Sequence, residues 1–371
     1  MAHIYLASPH MSEEGYEQQY VKEAFDTNWI APLGKNANEF EKEFASYVGA
    51  NDGAALSAGT AAIHLALKAA GIKKGDIVFC QDLTFSATAN PIIYEDAVPV
   101  FIDSDYETWN MSPDALERAF EKYPDVKAVM PVHLYGLPAN MDRIMEICNA
   151  HHVPVIEDAA ESLGTIYHGQ KTGTFGDYGC FSFNGNKIIT GSSGGCLLTN
   201  DISDANHARK WSTQARENAA WYQHEEVGYN YRMTNVQACL GLAQLERLEG
   251  FVETKKARYD QYKAALDGVH GLRILPFKEE SDGVRSNHWF YSLYLKDSGL
   301  DRDTVIAKLQ DQGIQTRPVW ALINEQADYP KNEAYALEKA QDYRKYIVNL
   351  PCSTNLTEQD CERVIAAVKN L

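Results

Sequence analysis

Lys187 lies in the run FSFNGNKIITGSSGG at residues 181–195, after a predicted buried strand and among glycines and small polar residues. Small residues let the backbone approach a bound molecule closely. A lysine becomes a nucleophile when its amine can lose its charge, through desolvation or a neighbouring cation, and such lysines bond covalently to carbonyl compounds. Because most lysines in polar loops are solvated surface charges, Lys187 alone does not decide the chemistry.

Two carboxylates end an earlier predicted strand. Glu157 and Asp158 follow the apolar run VPVI in VPVIEDAAESLG. A carboxylate at the end of a strand can keep a pyridine nitrogen protonated, which makes the ring a better electron sink. Asp158 is the candidate for this role. The alternative is that Asp158 caps the next helix, since aspartate is a favoured cap.

Two further segments offer a phosphate site and a flat surface. In LSAGTAAIHLALKAAG, Ser57, Gly59 and Thr60 precede an apolar helix whose first N–H groups could bind a phosphate. Thr60 as a simple helix cap remains an alternative. In DLTFSATANPI, Phe85 follows a predicted strand and could stack on an aromatic ring, although an aromatic residue there is more often part of the core.

Composition limits the kinds of partner. The 371 residues include 51 acidic and 34 basic side chains, for a net charge of −17. That charge opposes binding to nucleic acid or to an anionic membrane surface. The amino terminus lacks a signal-peptide pattern, no apolar run is long enough to span a membrane, and no metal-binding motif occurs. Seven cysteines without a C-x-x-C pair indicate buried free thiols. We expect a cytoplasmic protein without a metal site.

Apolar, β-branched runs recur through the first half of the chain. They are DIVFCQ, VPVFID, VKAVMPVHLYG, VPVIEDAA, YGCFSF and GGCLLTN, with helical segments such as SPDALERAFEKY and MDRIMEICNAHH between the earlier ones. This alternation predicts an α/β fold with a mostly parallel sheet flanked by helices, which binds ligands at the carboxyl ends of its strands. A long helix is expected from Thr234, followed by a mixture of helices and strands of the α+β type. We expect an N-terminal segment (1–20), a large cofactor domain (21–245) and a small C-terminal α+β domain (246–371).

Taken together, these motifs resemble the DegT/DnrJ/EryC1/StrS family of sugar aminotransferases over nearly the whole chain. The resemblance is carried by SAGTAAIHLAL, TFSATAN, VHLYG, IEDAAESLG, GCFSFNGNKIITGSSGG, GYNYRMTN and TRPVW, in family order and at family spacing. It implies the fold type I architecture of enzymes that use pyridoxal 5′-phosphate (PLP). It also implies an enzyme that takes an amino group from L-glutamate, through the pyridoxamine form of the cofactor, and gives it to a keto sugar.

The resemblance also implies residue roles. Lys187 would bind the cofactor covalently, and Asp158 would pair with its ring nitrogen. The other implied cofactor contacts are Gly59, Thr60 and Ser182 at the phosphate, Phe85 against the ring, and Glu161 near the phenolic oxygen, where many relatives carry Gln or His. Asn230 in GYNYR resembles the residue that reaches the cofactor phosphate of a neighbouring subunit, which implies a homodimer with shared active sites.

Within the family, the chain looks closest to the bacillosamine-pathway enzymes, which aminate C4 of UDP-2-acetamido-4-keto-2,4,6-trideoxyglucose. Arg216, Arg232, Arg317 and Trp320 are candidates for the UDP-sugar side, because guanidinium groups pair with diphosphates and an indole covers an apolar face. The alternative is that these are surface arginines and a core tryptophan.

Other functions stay open at this point. Similar scaffolds make viosamine, perosamine and 3-amino sugars. A branch of the family consists of PLP-dependent sugar dehydratases, but there histidine replaces the lysine that this chain has as Lys187. A non-catalytic sensor would share the fold as well, since fold does not determine function.

Overall fold

A computed structural model of the chain describes residues 3–275, 283–326, 329, 334–335 and 337–371. Its helices are α1 (Tyr16–Asp26), α2 (Lys35–Val48), α3 (Gly59–Ala69), α4 (Asn90–Tyr94), α5 (Pro113–Lys122), α6 (Met141–His151), α7 (Ile202–Ser212), α8 (Asn235–Leu266), α9 (Arg302–Asp311), α10 (Glu338–Tyr346) and α11 (Glu358–Lys369). Its strands are β1 (Asp52–Leu56), β2 (Ile77–Gln81), β3 (Val98–Ile102), β4 (Ala128–Met130), β5 (Ile156–Asp158), β6 (Ile166–Tyr167), β7 (Gln170–Lys171), β8 (Tyr178–Ser182), β9 (Gly195–Thr199), β10 (Arg273–Ile274), β11 (Val284–Arg285), β12 (Tyr291–Tyr294), β13 (Arg317–Pro318), β14 (Ala334–Tyr335) and β15 (Ile347–Leu350).

The central sheet consists of two groups of strands, in the orders β1-β9-β8-β5 and β14-β3-β2-β4. Parallel bridges from Val129 to Val155 and from Val132 to Asp158 join β4 to β5, so the two groups form one continuous sheet. β9 runs antiparallel to both of its neighbours, whereas the pairs formed by β5 with β8 and by β2, β3, β4 and β14 are parallel. The predicted α/β fold with a mostly parallel sheet is confirmed.

Helices cover both faces of this sheet, because its strands are apolar on both sides. One apolar cluster joins the sheet to α3 and α7 through side chains such as Ile63, Leu67 and Trp211. Another joins it to α5 and α6 through Leu116, Phe120 and Ile144. Each crossover helix follows one strand and precedes the next, so the strand ends that receive ligands lie together at one edge.

The helix predicted from Thr234 is a single 32-residue helix, α8. Its start is fixed by a capping box in which Thr234 and Gln237 satisfy each other's backbone N–H groups. It packs against α1 and α2 in the first part of the chain and against β10 and α11 in the last part. The expected domain boundary at 245/246 therefore falls inside an unbroken helix. Beyond α8, an antiparallel sheet in the order β10-β12-β15-β13 lies with α9 and α11 in a smaller α+β region.

Three features of the structure limit the kinds of partner. In the described ranges, none of the helices combines the length and apolar character that crossing a membrane requires. The same residues contain no group of three or more His, Cys, Asp or Glu side chains placed to hold a metal ion. All seven cysteines are buried free thiols, as the sequence predicts.

Lys255 is a buried lysine on α8 that connects the long helix to the C-terminal sheet. Its Nζ donates hydrogen bonds to the carbonyl oxygens of Trp289 (3.0 Å), before β12, and Cys352 (2.6 Å), after β15. Burial lowers the pKa of Lys255. Because these carbonyls lie in apolar surroundings, the amine satisfies polar groups that water cannot reach.

We therefore expect Lys255→Ala to lower the free energy of unfolding by about 2–4 kcal/mol, since it removes buried contacts and leaves two carbonyls without this donor. Lys256→Ala is the matched control. The neighbouring Lys256 side chain is 57% exposed and pairs with Asp260, so its loss should change stability by less than about 0.5 kcal/mol. Urea unfolding of both variants measures the difference, and equal stability would contradict the role given to Lys255.

Candidate active site

A cavity of about 240 Å³ opens at the carboxyl ends of β2 and β5 and at the start of α3. Its lining brings together most of the cofactor residues expected from the sequence. They are Gly59, Thr60, Phe85, Asp158, Glu161, Ser182 and Lys187, joined by Trp320 from the expected substrate side. These residues come from segments far apart in the chain, and the crossover topology collects them at one edge of the sheet.

Lys187 lies in the loop between β8 and β9, with its side chain only 11% exposed. Its Nζ is 3.6 Å from Oε1 of Glu161 and 4.1 Å from the ring centre of Trp289. The indole Nε1 of Trp289 donates a 2.8 Å hydrogen bond to the carbonyl of Asn186, which fixes the lysine loop against the C-terminal region. The amine is therefore held between a carboxyl group and an aromatic face, with little contact with water.

Asp158 ends β5 and faces the same cavity. Its Oδ2 accepts a 2.6 Å hydrogen bond from the hydroxyl of Thr88, and its Oδ1 accepts one of 3.1 Å from the N–H of Ala160. The Thr88 hydroxyl also lies 2.8 Å from that of Thr84. These bonds hold the carboxylate at the cavity. The capping alternative would require a helix to start here, but the element that follows β5 is the strand β6.

Glu157 points away from the cavity, and both of its carboxylate oxygens are already hydrogen-bonded within the fold. Its carboxylate accepts hydrogen bonds from three backbone N–H groups, those of Gly173, Phe175 and Gly176. It also accepts one of 2.8 Å from Nε2 of His133, whose Nδ1 in turn accepts the N–H of Ala139. With Nδ1 an acceptor, His133 is the neutral tautomer that carries its proton on Nε2. Of the two adjacent carboxylates, only Asp158 is available for a ligand.

The start of α3 forms the third side of the cavity. Its N-cap is Ala58, so no side chain caps the helix, and the alternative that Thr60 is the cap is wrong. A Cβ at Gly59 would lie 2.9 Å from Cβ of Ser182, which explains the need for glycine at this close approach. Uncapped N–H groups beside the hydroxyls of Thr60 and Ser182 suit a phosphate.

Aromatic rings border the mouth of the cavity. Phe85 is 51% exposed, and its ring centre lies 5.3 Å from that of Trp320 at a tilted angle of 55°. The Nε1 atom of Trp320 is buried and has no hydrogen-bond partner in the described part of the chain. An exposed phenylalanine beside an indole is a surface on which a flat ligand can stack.

These groups match the chemistry of PLP. The cofactor has an aldehyde, a pyridine nitrogen and a phosphate. The cavity offers an amine at Lys187, a carboxylate at Asp158 and an uncapped helix start at Gly59, respectively. The residues of this chain therefore fit the cofactor that the sequence motifs imply.

Glu161 is the fourth polar group in the cavity. Its Oε2 accepts a 2.9 Å hydrogen bond from the N–H of Tyr135, and Oε1 faces Lys187. Burial raises the pKa of Glu161 to about 7, opposed by the Lys187 charge and the Tyr135 N–H and assisted by the charge of Asp158. A substantial fraction of Glu161 is therefore neutral near pH 7, which allows two carboxyl groups in one small cavity.

Three predicted residues lie outside this cavity. Asn230 and Arg216 are exposed on neighbouring segments, where the guanidinium carbon of Arg216 lies 4.3 Å from the ring centre of Tyr222. Arg317 is exposed on β13, and its Nη1 donates to the carbonyl of Thr316 at 2.9 Å. A single copy of the chain does not bring these side chains to the cavity lining.

Arg232, the fourth predicted residue outside the cavity, lies in the interior of the protein. Its side chain is buried and pairs with Glu41, and it also donates to the carbonyl of Ala55 at 3.2 Å. Glu41 accepts the N–H of Ala55 as well and pairs with Arg209, so the guanidinium is part of an internal network. The structure therefore places Arg232 inside the fold, where its Nη1 is engaged, and not in the cavity lining.

Two residues of the cavity were missed by the sequence analysis. Thr88 follows Thr84 by four residues in TFSATAN, a spacing that could have indicated paired hydroxyls. Trp289 carries no local signal, because SNHWFYSLYL resembles any buried strand. Its place above Lys187 depends on how the C-terminal region packs, which a single motif does not encode.

Comparisons with known proteins agree with this geometry. Residues 11–369 match the model of the DegT/DnrJ/EryC1/StrS aminotransferase family. The chain is 50% identical to the "Putative pyridoxal phosphate-dependent aminotransferase EpsN" of Bacillus subtilis, over 99% of this chain and 95% of that protein. It is 40% identical to the GDP-perosamine synthase of Caulobacter vibrioides, over 98% and 97% respectively. The crystal structure of the aminotransferase TlmJ from Streptoalloteichus hindustanus is similar, with a TM-score of 0.92 and 29% identity over 99% of this chain and 98% of that one.

The contact between Thr88 and Asp158 leads to a prediction. Thr88→Val keeps the shape of the side chain but removes the hydroxyl that donates to the carboxylate. We expect binding of PLP to weaken roughly 10- to 100-fold, because hydrogen bonds to charged groups contribute about 1.5–3 kcal/mol. Thr88→Ser, which keeps the hydroxyl, should stay close to the wild type. Titration of the apoprotein with PLP gives the dissociation constants, and equal affinities for the Val and Ser variants would refute the role.

Proposed function

Because the chain belongs to the DegT/DnrJ/EryC1/StrS aminotransferase family, we propose that it transfers the amino group of L-glutamate to a keto sugar carried by a nucleotide. The chain is a PLP-dependent aminotransferase of a family that acts on nucleotide sugars. The observation that carries the proposal is the cavity in which the amine of Lys187, the carboxylate of Asp158 and the start of α3 meet.

Each of these groups has a task in such a reaction. PLP, when bound, supplies an electron sink for the negative charge that develops when a C–H bond breaks. Asp158 keeps a proton on the ring nitrogen, and Thr88 holds Asp158 in place. Lys187 would hold the cofactor covalently at rest. Its Nζ would then carry a proton from Cα of glutamate to C4′ of the cofactor in the first half of the exchange, and from C4′ to the sugar carbon in the second half. Gly59, Thr60 and Ser182 bind the phosphate, and the rings at the mouth exclude water.

The acceptor that we propose first is UDP-2-acetamido-4-keto-2,4,6-trideoxyglucose, aminated at C4. The support is the likeness of several segments to bacillosamine-pathway enzymes, among them ARENAAWYQHEEVGYNYR and TRPVW. A GDP-linked keto sugar is the second candidate, because relatives 40% and 37% identical to this chain are named GDP-perosamine synthase. Dehydration is less well supported, because Lys187 stands where the dehydratases have histidine.

We also propose a homodimer with shared active sites. Asn230 and Arg216 are exposed near a large aromatic surface, where Tyr222 is 80% exposed and Trp221 is exposed as well. Large exposed aromatic side chains are typical of a surface that another chain covers. In the proposed dimer Asn230 contacts the partner's cofactor phosphate, and Arg216, Arg317 and Trp320 contact the UDP-sugar. The free thiols suit a cytoplasmic location, which stays a prediction.

The lysine assignment is directly testable. We expect purified Lys187→Ala to form no amino sugar from L-glutamate and any of a panel of UDP-, GDP- and dTDP-linked keto sugars. Lys74→Ala is the control, because the Lys74 side chain is 83% exposed, and it should keep wild-type turnover. Borohydride reduction followed by peptide mapping should place the cofactor on Lys187. An adduct on another lysine, or turnover by Lys187→Ala, would refute the proposal, and the sugar that is aminated identifies the acceptor.

Shared sites predict complementation between two defects. Asn230→Ala and Lys187→Ala homodimers should each be inactive or strongly impaired. In a dimer of one copy of each, one site carries both defects and the other carries none. Unfolding and refolding an equal mixture should restore about a quarter of wild-type sites, since half of the dimers are mixed and each has one intact site. No recovery of turnover after mixing, with mixed dimers confirmed by mass spectrometry, would contradict the placement of Asn230.

A further inference from the structure

Glu161 and Lys187 form a buried acid–base pair that the cofactor contacts above do not explain. The Glu161 side chain is almost fully enclosed, and its Oε1 lies 3.6 Å from the lysine Nζ. Its Oε2 accepts the N–H of Tyr135, and its backbone carbonyl accepts a 2.9 Å hydrogen bond from Nδ2 of Asn287. The carboxyl group is thus fixed in direction, with one oxygen turned to the amine.

The charged groups around Glu161 act in opposite directions. The ammonium of Lys187, from the loop between β8 and β9, favours the carboxylate, and the N–H of Tyr135 does the same. Burial and the negative charge of Asp158, from β5, favour the neutral acid. The phenol of Tyr135 carries no charge near neutral pH, since burial holds its pKa well above the usual value. The balance leaves the pKa of Glu161 at about 7 while the lysine is an ammonium.

Covalent occupation of Lys187 removes the cation from this balance when the imine that forms is uncharged. When an ammonium condenses with an aldehyde, a C=N bond forms and the C=O bond breaks. Two N–H hydrogens leave with the oxygen as water. The third N–H proton either stays on the nitrogen, which then keeps its charge, or passes to a neighbouring base, which leaves an uncharged imine. Once the nitrogen is uncharged, burial acts on Glu161 without the opposing ammonium, so its carboxylate becomes costly.

We propose that Glu161 takes the proton that Lys187 gives up when the lysine is joined to the cofactor aldehyde, and returns it when the lysine is released. The inference rests on the assignment of Lys187 made above. The loaded site then contains a neutral Glu161, which can donate a hydrogen bond, in place of an ion pair. A glutamine at this position could donate a hydrogen bond but could not store a proton.

The test is the infrared difference spectrum between the apoprotein and the protein loaded with PLP, at pH 8. In the apoprotein only about a tenth of Glu161 is protonated one pH unit above its pKa. We expect loading to produce a band from a protonated carboxyl group, which shifts when the protein carries ¹³C-labelled glutamate. The band should be absent from Glu161→Gln. The isotope shift identifies a glutamate in the wild type, so the test does not depend on the variant folding.

Asp82 supplies the matched control. It is also buried, and burial raises its pKa to about 7, but its Oδ1 accepts the N–H of Asn324, and in the described part of the chain no hydrogen bond or ion pair joins it to Lys187. Asp82→Asn should keep the loading band. With the adduct at Lys187 verified by peptide mapping, the absence of the band in the wild type, or its persistence in Glu161→Gln, would overturn the inference alone. Absence of an adduct at Lys187 would overturn the proposed function, and this inference with it.

Discussion

A positive charge that water hardly reaches must be balanced by the protein, and this requirement governs the centre of the molecule. The amine of Lys187 is balanced by a carboxyl group on one side and by the face of an indole on the other. Glu161 is held by the backbone of Tyr135, and Trp289 is held through Asn186 and through Lys255 on α8. The environment of one nitrogen thus depends on the large sheet, the long helix and the C-terminal region at once.

The parts of the site that could be predicted are those encoded in short local patterns. There are three such patterns: a lysine among small residues after a strand, a carboxylate at a strand end, and an apolar helix after SAGT. Each depends on residues that are neighbours in the sequence and not on how distant parts of the chain pack. The preference for Asp158 over Glu157 has its explanation in the structure, where Glu157 accepts hydrogen bonds from four donors within the fold. Alternation of strands and helices likewise predicted the sheet, although the reversed direction of β9 carries no mark in GGCLLTN.

The parts that could not be predicted depend on distant packing. Arg232 has the residue type expected of a diphosphate contact, but a glutamate 191 positions earlier in the chain engages it. Trp289 reaches Lys187 from the C-terminal region, which the hydrogen bonds of Lys255 connect to α8. Glu161 lines the cavity beside Lys187, and whether a second carboxyl group is tolerated there depends on burial, which raises its pKa and which a local sequence pattern does not reveal.

The continuity of α8 has a mechanical consequence. The buried residues of α8 run from Asn235 to Leu266, so one face of this helix packs against the rest of the protein along its whole length. An unbroken helix of this kind has no hinge in its middle, so a displacement of one end of α8 is passed on to the other end. The strands before α8 and the strands after it are therefore joined by one stiff helix and not by a flexible linker.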